Sequence, residues 1–270
     1  MAAGRGGFAV ESTDLPAHSQ GEPPALNLSE TGPRIPRDPL KHLTLWAVAA
    51  ALIAGVVAWA GGEATHDFYQ PSKEAAGQPY AFAQLNKEKD ISDGRNAAVA
   101  YGLLGAFTGL ALGLIGGLST RSARNAMAGG LTGLILGGLA PALVAPWVVP
   151  YHRHLYWPET PDLKLPIMVH GAMWCALGLA AGIAFAIGLG DRRRIAQAAI
   201  GGLIGALVAT VLFDAVGAIA FPHSRADLPI AETMSLRLIS RLFVAAGVAL
   251  GAIWAIREKP RKVVPPPLSA

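Results

Sequence analysis

Apolar residues in this chain are gathered into six long runs, each separated from the next by polar residues. Each run is close to or above the roughly twenty residues with which an α-helix crosses about 30 Å of hydrocarbon. The predicted spans are residues 43–60, 97–118, 126–149, 165–189, 195–220 and 236–256. The pattern therefore predicts an all-α polytopic membrane protein, a bundle of six transmembrane helices.

Polar residues predict three regions outside the spans. Residues 1–42 are polar and rich in proline, which favours a disordered tail over a cleaved signal peptide. Residues 61–96 carry too many charges to cross a bilayer, so we expect an outer loop with a short helix around residues 81–87. Residues 257–270 form a basic, Pro-rich second tail. The membrane domain is thus expected over residues 43–256.

The composition agrees with a membrane chain and excludes other classes of protein. Hydrophobic residues make up 52% of the 270 positions and charged residues 15%, against about 25% charged residues in soluble domains. The single cysteine, Cys175, excludes an intrachain disulfide and multi-cysteine metal sites. The net charge of +4 comes from cations beside the apolar runs, so we expect no nucleic-acid partner.

The cations also predict the orientation of the chain, because Lys and Arg close to span ends favour the cytoplasmic side. Twelve of them fall on one side in short segments, and eight fall on the opposite side in longer loops that also contain acids. Both termini are therefore predicted to be cytoplasmic. The excess of Arg over Lys, together with abundant Ala and Gly, suits a bacterial-type inner (plasma) membrane.

Glycines recur at helical spacing within the predicted spans. Small residues on one helix face let backbones approach closely, which is the main way in which helices associate in lipid. We therefore predict glycine-zipper packing along two sets of positions. The first set is Gly105, Gly109, Gly113, Gly117, Gly129, Gly133 and Gly137, and the second is Gly178, Gly182, Gly201 and Gly205. The likeness of the two sets suggests a duplicated helical hairpin, spans two and three followed by spans four and five.

Few ionisable residues lie inside the spans, and such residues are the best indicators of function in a membrane sequence. His170, Asp214, Arg237 and Arg241 are predicted at a similar depth near the outer side. Three interpretations are open. The first is a structural ion pair between Asp214 and Arg241. The second is an outer polar vestibule in which the four residues face a solute or carry a proton. The third is snorkelling to the headgroups, which suits Arg237 best.

The hairpin from Arg194 to Asp214 is locally similar to that of the proteolipid subunits of rotary ATPases. Those subunits have a cytoplasmic Arg-containing loop and an intramembrane carboxylate that carries the ion. Here Pro222 and His223 follow the acid closely, whereas the proteolipid acid lies near mid-membrane. We interpret the resemblance, which covers about a fifth of the chain, as the shared physics of glycine-packed hairpins.

No catalytic motif of the HExxH, GxSxG, P-loop or strand-following GxGxxG type occurs, so no enzyme is predicted. Outer-side histidines such as His152 and His154 are expected to be solvated, with no metal and no cofactor. The leading function is a structural or assembly subunit, with the lipid bilayer and a homo-oligomer or membrane-protein complex as partners. The alternatives are a small-solute or ion transporter or channel and, less favoured, an enzyme that uses His170 and Asp214.

Overall fold

The computed structural model describes residues 39–71, 81–155, 163–221 and 224–257, and every regular element in these ranges is helical. The six long helices are α1 (Pro39–Ala64), α2 (Ala81–Ser119), α3 (Ala123–Leu155), α4 (Lys164–Leu189), α5 (Ile195–Ala220) and α6 (Met234–Ala255). All six are long and apolar enough to cross a membrane. The chain is a multi-pass helical membrane protein, as the apolar runs predict. Most of both predicted tails, and His223, lie outside the described residues.

Successive helices run in opposite directions, so the bundle has two ends. The turn end carries the short connections between α2 and α3, residues 120–122, and between α4 and α5, residues 190–194. The loop end carries the residues after α1 and the stretch 224–233 between α5 and α6, which we call the connector.

The turn between α4 and α5 shows why the chain reverses there. Gly190 has φ +71°, a left-handed conformation that glycine adopts without strain, and its N–H donates to the Ile187 carbonyl at 2.9 Å. Asp191 follows, and its side chain accepts a hydrogen bond of 3.0 Å from the backbone N–H of Arg193. A three-residue 3-10 helix, Arg192–Arg194, then leads directly into α5. A C-cap and an N-cap side by side thus make the tight reversal.

The second helix begins far earlier than its apolar run. The sequence predicts an outer loop up to residue 96 with a short helix around residues 81–87, whereas α2 starts at Ala81 and is continuous to Ser119. Its first turns are rich in Lys and Glu, which are good helix formers. They also have a partner, because α3 extends to Leu155 and Arg153 donates to Asp90 at 3.0 Å. Both helices therefore continue past their apolar windows and pair through polar side chains.

The fourth helix is the centre of the bundle. Of its most apolar window, 61% of residues are buried, against 28% in α1 and in α3. It contacts α2, α3, α5 and α6. The largest side chains of the core, Trp174 and Phe185, belong to it and are fully buried. The site described below lies at the loop end of this helix.

Glycines face each other where α2 meets α3. A Cβ atom added to Gly105, Gly109 or Gly113 would overlap the backbone carbonyl of the glycine opposite. Those opposite glycines, on α3, are Gly137, Gly133 and Gly129. At Gly117 the neighbouring backbone is that of Ala126. No larger residue fits these positions without separating the two helices.

The glycines of the second hairpin are distributed differently. Gly178 faces Gly202 across α4 and α5, and Gly182 faces the carbonyl of Ala198. Gly201 and Gly205 face α6 instead, where a Cβ would overlap the carbonyls of Gly251 and Gly247. In the predicted repeat Gly205 corresponds to Gly133, which faces its own hairpin partner. The equivalent positions Gly133 and Gly205 therefore have different neighbours.

Candidate functional site

A cluster of buried polar side chains lies at the loop end, where five helices and the connector meet. We call it the loop-end cluster. It contains the four residues predicted from the sequence, all at least nine-tenths buried, together with two that were not predicted. The predicted members are His170, Asp214, Arg237 and Arg241, and the added ones are Glu63 and Tyr101.

His170 of α4 and Asp214 of α5 form the centre of the loop-end cluster. The Nδ1 atom of His170 lies 2.8 Å from Oδ1 of Asp214, and Nε2 lies 3.0 Å from the carbonyl oxygen of Leu228 in the connector. A carbonyl oxygen only accepts, so Nε2 carries a hydrogen. One further proton is then shared between Nδ1 and Oδ1. The pair has no net charge whichever of the two atoms holds that proton.

The surroundings of this pair are apolar. The imidazole stacks on Trp174 with ring centroids 5.4 Å apart, and Phe213 meets it edge-on at 5.7 Å. The second carboxyl oxygen of Asp214, Oδ2, is buried and accepts no hydrogen bond from the described residues. The pair is therefore enclosed by aromatic side chains, and it keeps one carboxyl oxygen without a donor among these residues.

Arg237 of α6 pairs with Glu63, the penultimate residue of α1. Its Nε and one terminal nitrogen each donate to a Glu63 carboxylate oxygen at 2.7 Å, the two-pronged arrangement that suits a guanidinium. The other terminal nitrogen donates to the connector carbonyls of Ala231, at 3.1 Å, and Glu232, at 2.7 Å. The sequence places Glu63 in a loop, but the helix carries it to Arg237.

Arg241 does not meet Asp214. Its guanidinium lies against α1, where it donates to the carbonyl of Ala58. A Cβ atom on Gly62 would overlap the guanidinium, so the absence of a side chain there makes room for it. The predicted Asp214–Arg241 ion pair is therefore wrong. The helix order explains this, because α6 presents Arg241 to α1 while α4 presents His170 to Asp214.

The connector receives hydrogen bonds from three helices. His170 of α4 donates to Leu228, Tyr101 of α2 donates to Pro229, and Arg237 of α6 donates to Ala231 and Glu232. Each of these backbone carbonyls thus accepts a hydrogen bond from a helix side chain. The connector is thus fixed over the loop end by side chains that lie inside the helical bundle.

A second polar group lies beside the loop-end cluster, between α2 and α3. Arg153 donates to Asp90 at 3.0 Å and to Asp93 at 3.5 Å, and His154 lies 3.6 Å from Asp90. His152 is buried, against the expectation that it is solvated. Within the described ranges no three His, Cys, Asp or Glu side chains are arranged to hold a metal ion.

No family model, curated protein or solved structure matches this chain. The site is therefore interpreted from its own chemistry.

Nearly every polar side chain of the loop-end cluster has a partner inside the protein, and the exception among the described residues is Oδ2 of Asp214. Arg237 neutralises Glu63, His170 and Asp214 neutralise each other, and Arg241 and Tyr101 donate to backbone carbonyls. Three pockets lined by described residues lie elsewhere in the bundle, and none of these three includes His170, Asp214, Arg237 or Arg241 in its lining. The arrangement joins helices through polar side chains.

Proposed function

We propose that the protein is a structural or assembly subunit of its membrane, a rigid bundle rather than a pathway for solutes. The observation that carries this proposal is that the side chains of the loop-end cluster are bonded to other helices and to the connector. A solute site would offer polar groups toward a cavity. Here Arg237 alone makes four hydrogen bonds within the protein.

The close approach of helices over glycine supports the same proposal. Glycine-zipper packing supplies van der Waals contact where lipid removes the hydrophobic drive for helix association. The glycines of α2 and α3 face each other inside the chain, as do those of α5 and α6. Any homo-oligomer or larger complex would then form through the outer faces of the bundle, and the glycines would keep those faces in fixed positions.

Two measurements test this function, the mass of the extracted protein and its proton flux. The protein is extracted with its surrounding lipid by a membrane-solubilising polymer, and its mass is compared with the 27.9 kDa of one chain. The purified protein is also reconstituted into vesicles loaded with a pH-sensitive dye. A structural subunit gives a discrete complex larger than one chain and no proton flux above empty vesicles. A monomer that conducts protons would reject the proposal.

Proton-coupled transport is a second candidate, because His170 and Asp214 share one proton and Oδ2 of Asp214 has no partner within the described residues. Such a pair can release and regain a proton. If it carries transport, the flux in the same vesicles falls to background in Asp214→Asn while Arg153→Gln keeps it. Equal flux in the two variants would remove this candidate.

We further propose that the turn end faces the cytoplasm of a bacterial-type inner membrane. The exposed arginines Arg121, Arg124, Arg192, Arg193 and Arg257 support this orientation, because they lie at the turn end beside short connections. At the loop end, Arg153 and Arg237 are paired with acids. A fluorescent protein that folds only in the cytoplasm, fused after Ala270, should fluoresce, and the same fusion within residues 72–80 should remain dark. The reverse result would invert the topology.

A further inference from the structure

An apolar groove runs along the outside of α5 and α6 toward the turn end. Its volume is about 680 Å³, within the range of about 300–1,000 Å³ that is usual for ligand sites. The walls are apolar side chains that remain substantially exposed, among them Ile204, Val208 and Leu212 of α5 and Leu250 and Trp254 of α6. Thr44 of α1 lies at its side.

Glycines create this groove. Gly201 lies on Gly251, and Gly205 lies on Gly247, so close that a Cβ at Gly201 or Gly205 would overlap the facing carbonyl. Without side chains these positions form a floor, while the larger neighbours at Ile204 and Leu250 rise on either side. The depression is therefore part of the helix packing and is present without any occupant.

The length of the groove is comparable with one leaflet of a bilayer. Its apolar lining extends from Gly201 to Leu212 in α5 and from Leu242 to Trp254 in α6, which is about 16 Å and about 18 Å at the rise of an α-helix. Each length is a little over half of the roughly 30 Å hydrocarbon thickness. The groove thus begins near the middle of the membrane and opens at the turn end, as the path of a single acyl chain would.

A cationic pocket adjoins the open end of the groove. Arg193, Arg194 and Arg257 line it together with Asp191, and Arg257 lines the groove as well. Asp191 is bound to Arg194 at 2.9 Å, so it offsets one of the three arginines. The pocket keeps a net charge of +2, three guanidinium groups against one carboxylate. An anion at this position would lie at the level of the headgroups.

We propose that the groove and the adjoining pocket form a binding site for an anionic phospholipid. One acyl chain lies between Ile204 and Leu250, and the phosphate is bound by Arg193 and Arg257. Guanidinium groups donate two parallel hydrogen bonds to phosphate oxygens, which gives the phosphate a defined position. A soluble anion would gain nothing from the apolar walls, and a zwitterionic lipid would gain less from the net positive charge. The combination therefore selects a lipid with a net negative headgroup.

The experiment uses the full chain in nanodiscs and the fluorescence of Trp254, which lines the groove and is 67% exposed. Lipids with brominated acyl chains quench tryptophan on contact. The Trp254 contribution is the difference between the wild type and Trp254→Phe. Trp46 is the matched control, because it is 63% exposed and lies in the half of α1 near the turn end, outside the groove lining. Its contribution to the fluorescence is the difference between the wild type and Trp46→Phe.

We expect brominated phosphatidylglycerol to quench Trp254 at a lower mole fraction than brominated phosphatidylcholine, and both lipids to quench Trp46 equally. Arg193→Gln and Arg257→Gln should each weaken the preference at Trp254 about five-fold, the effect of one cation near a membrane surface. Arg124→Gln is the control, because it removes an exposed arginine from the same end but outside the pocket. It should leave the preference unchanged.

Two outcomes would overturn the lipid site. Equal quenching of Trp254 by the two lipids would show that no anionic headgroup is selected. Protection of Trp254 from both lipids would show that the groove is filled by protein, either a second copy of this chain or residues 258–270. Ala246→Leu adds a larger side chain that narrows the groove from α6, and it gives an independent test. It should reduce the quenching of Trp254 by phosphatidylglycerol without changing that of Trp46, and an unaltered Trp254 signal would contradict the proposal.

Discussion

The loop end and the apolar body of the bundle bring the same helices together in opposite ways. At the loop end, long polar side chains reach from one helix to another, as Arg237 of α6 reaches Glu63 of α1. In the body, side chains are absent and backbones touch, as at Gly109 and Gly133. Polar pairing and glycine contact are both needed because lipid gives no hydrophobic reason for helices to associate. Polar pairing is sensitive to the loss of one partner, and glycine contact is sensitive to the gain of one methyl group.

The largest effect is expected from breaking the pair of Glu63 and Arg237. Arg237→Gln leaves a Glu63 carboxylate with little exposure and without its two-pronged partner, and the free energy of unfolding should fall by about 3–5 kcal/mol. Thermal unfolding in mild detergent measures it. Glu63→Gln combined with Arg237→Gln should be less destabilised than the two single losses added together. Strict additivity would show that the two residues act independently and would contradict the pairing.

Glycine contact is tested next, by one added methyl group. Gly109→Ala places a Cβ against the backbone of Gly133 and should lower the free energy of unfolding by about 1–3 kcal/mol, the usual effect of overpacking. Gly171→Ala is the matched control on α4, because its nearest neighbouring atoms would lie 3.9 Å and 4.0 Å from the new Cβ. It should be neutral or slightly stabilising. If the two variants have the same free energy of unfolding, close backbone contact is not what stabilises the apolar body of the bundle.

The contact between His170 and Asp214 allows a sharper test of polar pairing at the loop end. Asp214→Asn can donate from its side-chain amide to Nδ1 of His170 and should change stability little. Asp214→Leu, of similar shape, leaves Nδ1 without a partner and should lower the free energy of unfolding by about 1–3 kcal/mol. Equal losses in the two variants would show that the hydrogen bond to Nδ1 is not what stabilises this contact.

The smallest effect is expected at Arg153, which is also at the loop end but whose side chain is 30% exposed. Arg153→Gln removes its ion pairs with Asp90 and Asp93. The free energy of unfolding should fall by about 0.2–1 kcal/mol, as for other solvent-exposed ion pairs. The loss should shrink further in high salt, whereas that of Arg237→Gln should not. A loss as large as that of Arg237→Gln would mean that burial does not separate the two polar groups.

The six helices could be predicted because their cause lies within each segment. An apolar run of sufficient length has to become a helix in lipid, where every backbone group needs a partner inside its own segment. The continuity of α2 could not be predicted in this way. A short helix is expected around residues 81–87, but the charged residues up to 96 look like a loop, and they are helical beside the end of α3, where Arg153 binds Asp90. Glu63 was left out of the predicted site for the same reason, since nothing in its neighbours along the chain points to Arg237.

Four members of the loop-end cluster could be identified from the sequence, and their partners could not. Depth follows from counting residues along each span, so His170, Asp214, Arg237 and Arg241 were expected near one level. Pairing depends on the rotation of each helix and on which helices are neighbours. These are set by close contacts such as Gly205 with Gly247, which turn α5 toward α6 on one side while Asp214 faces α4 on another. The order of residues along the chain determines that the protein lies in lipid and where its spans are, whereas only the packed bundle decides which buried charges meet.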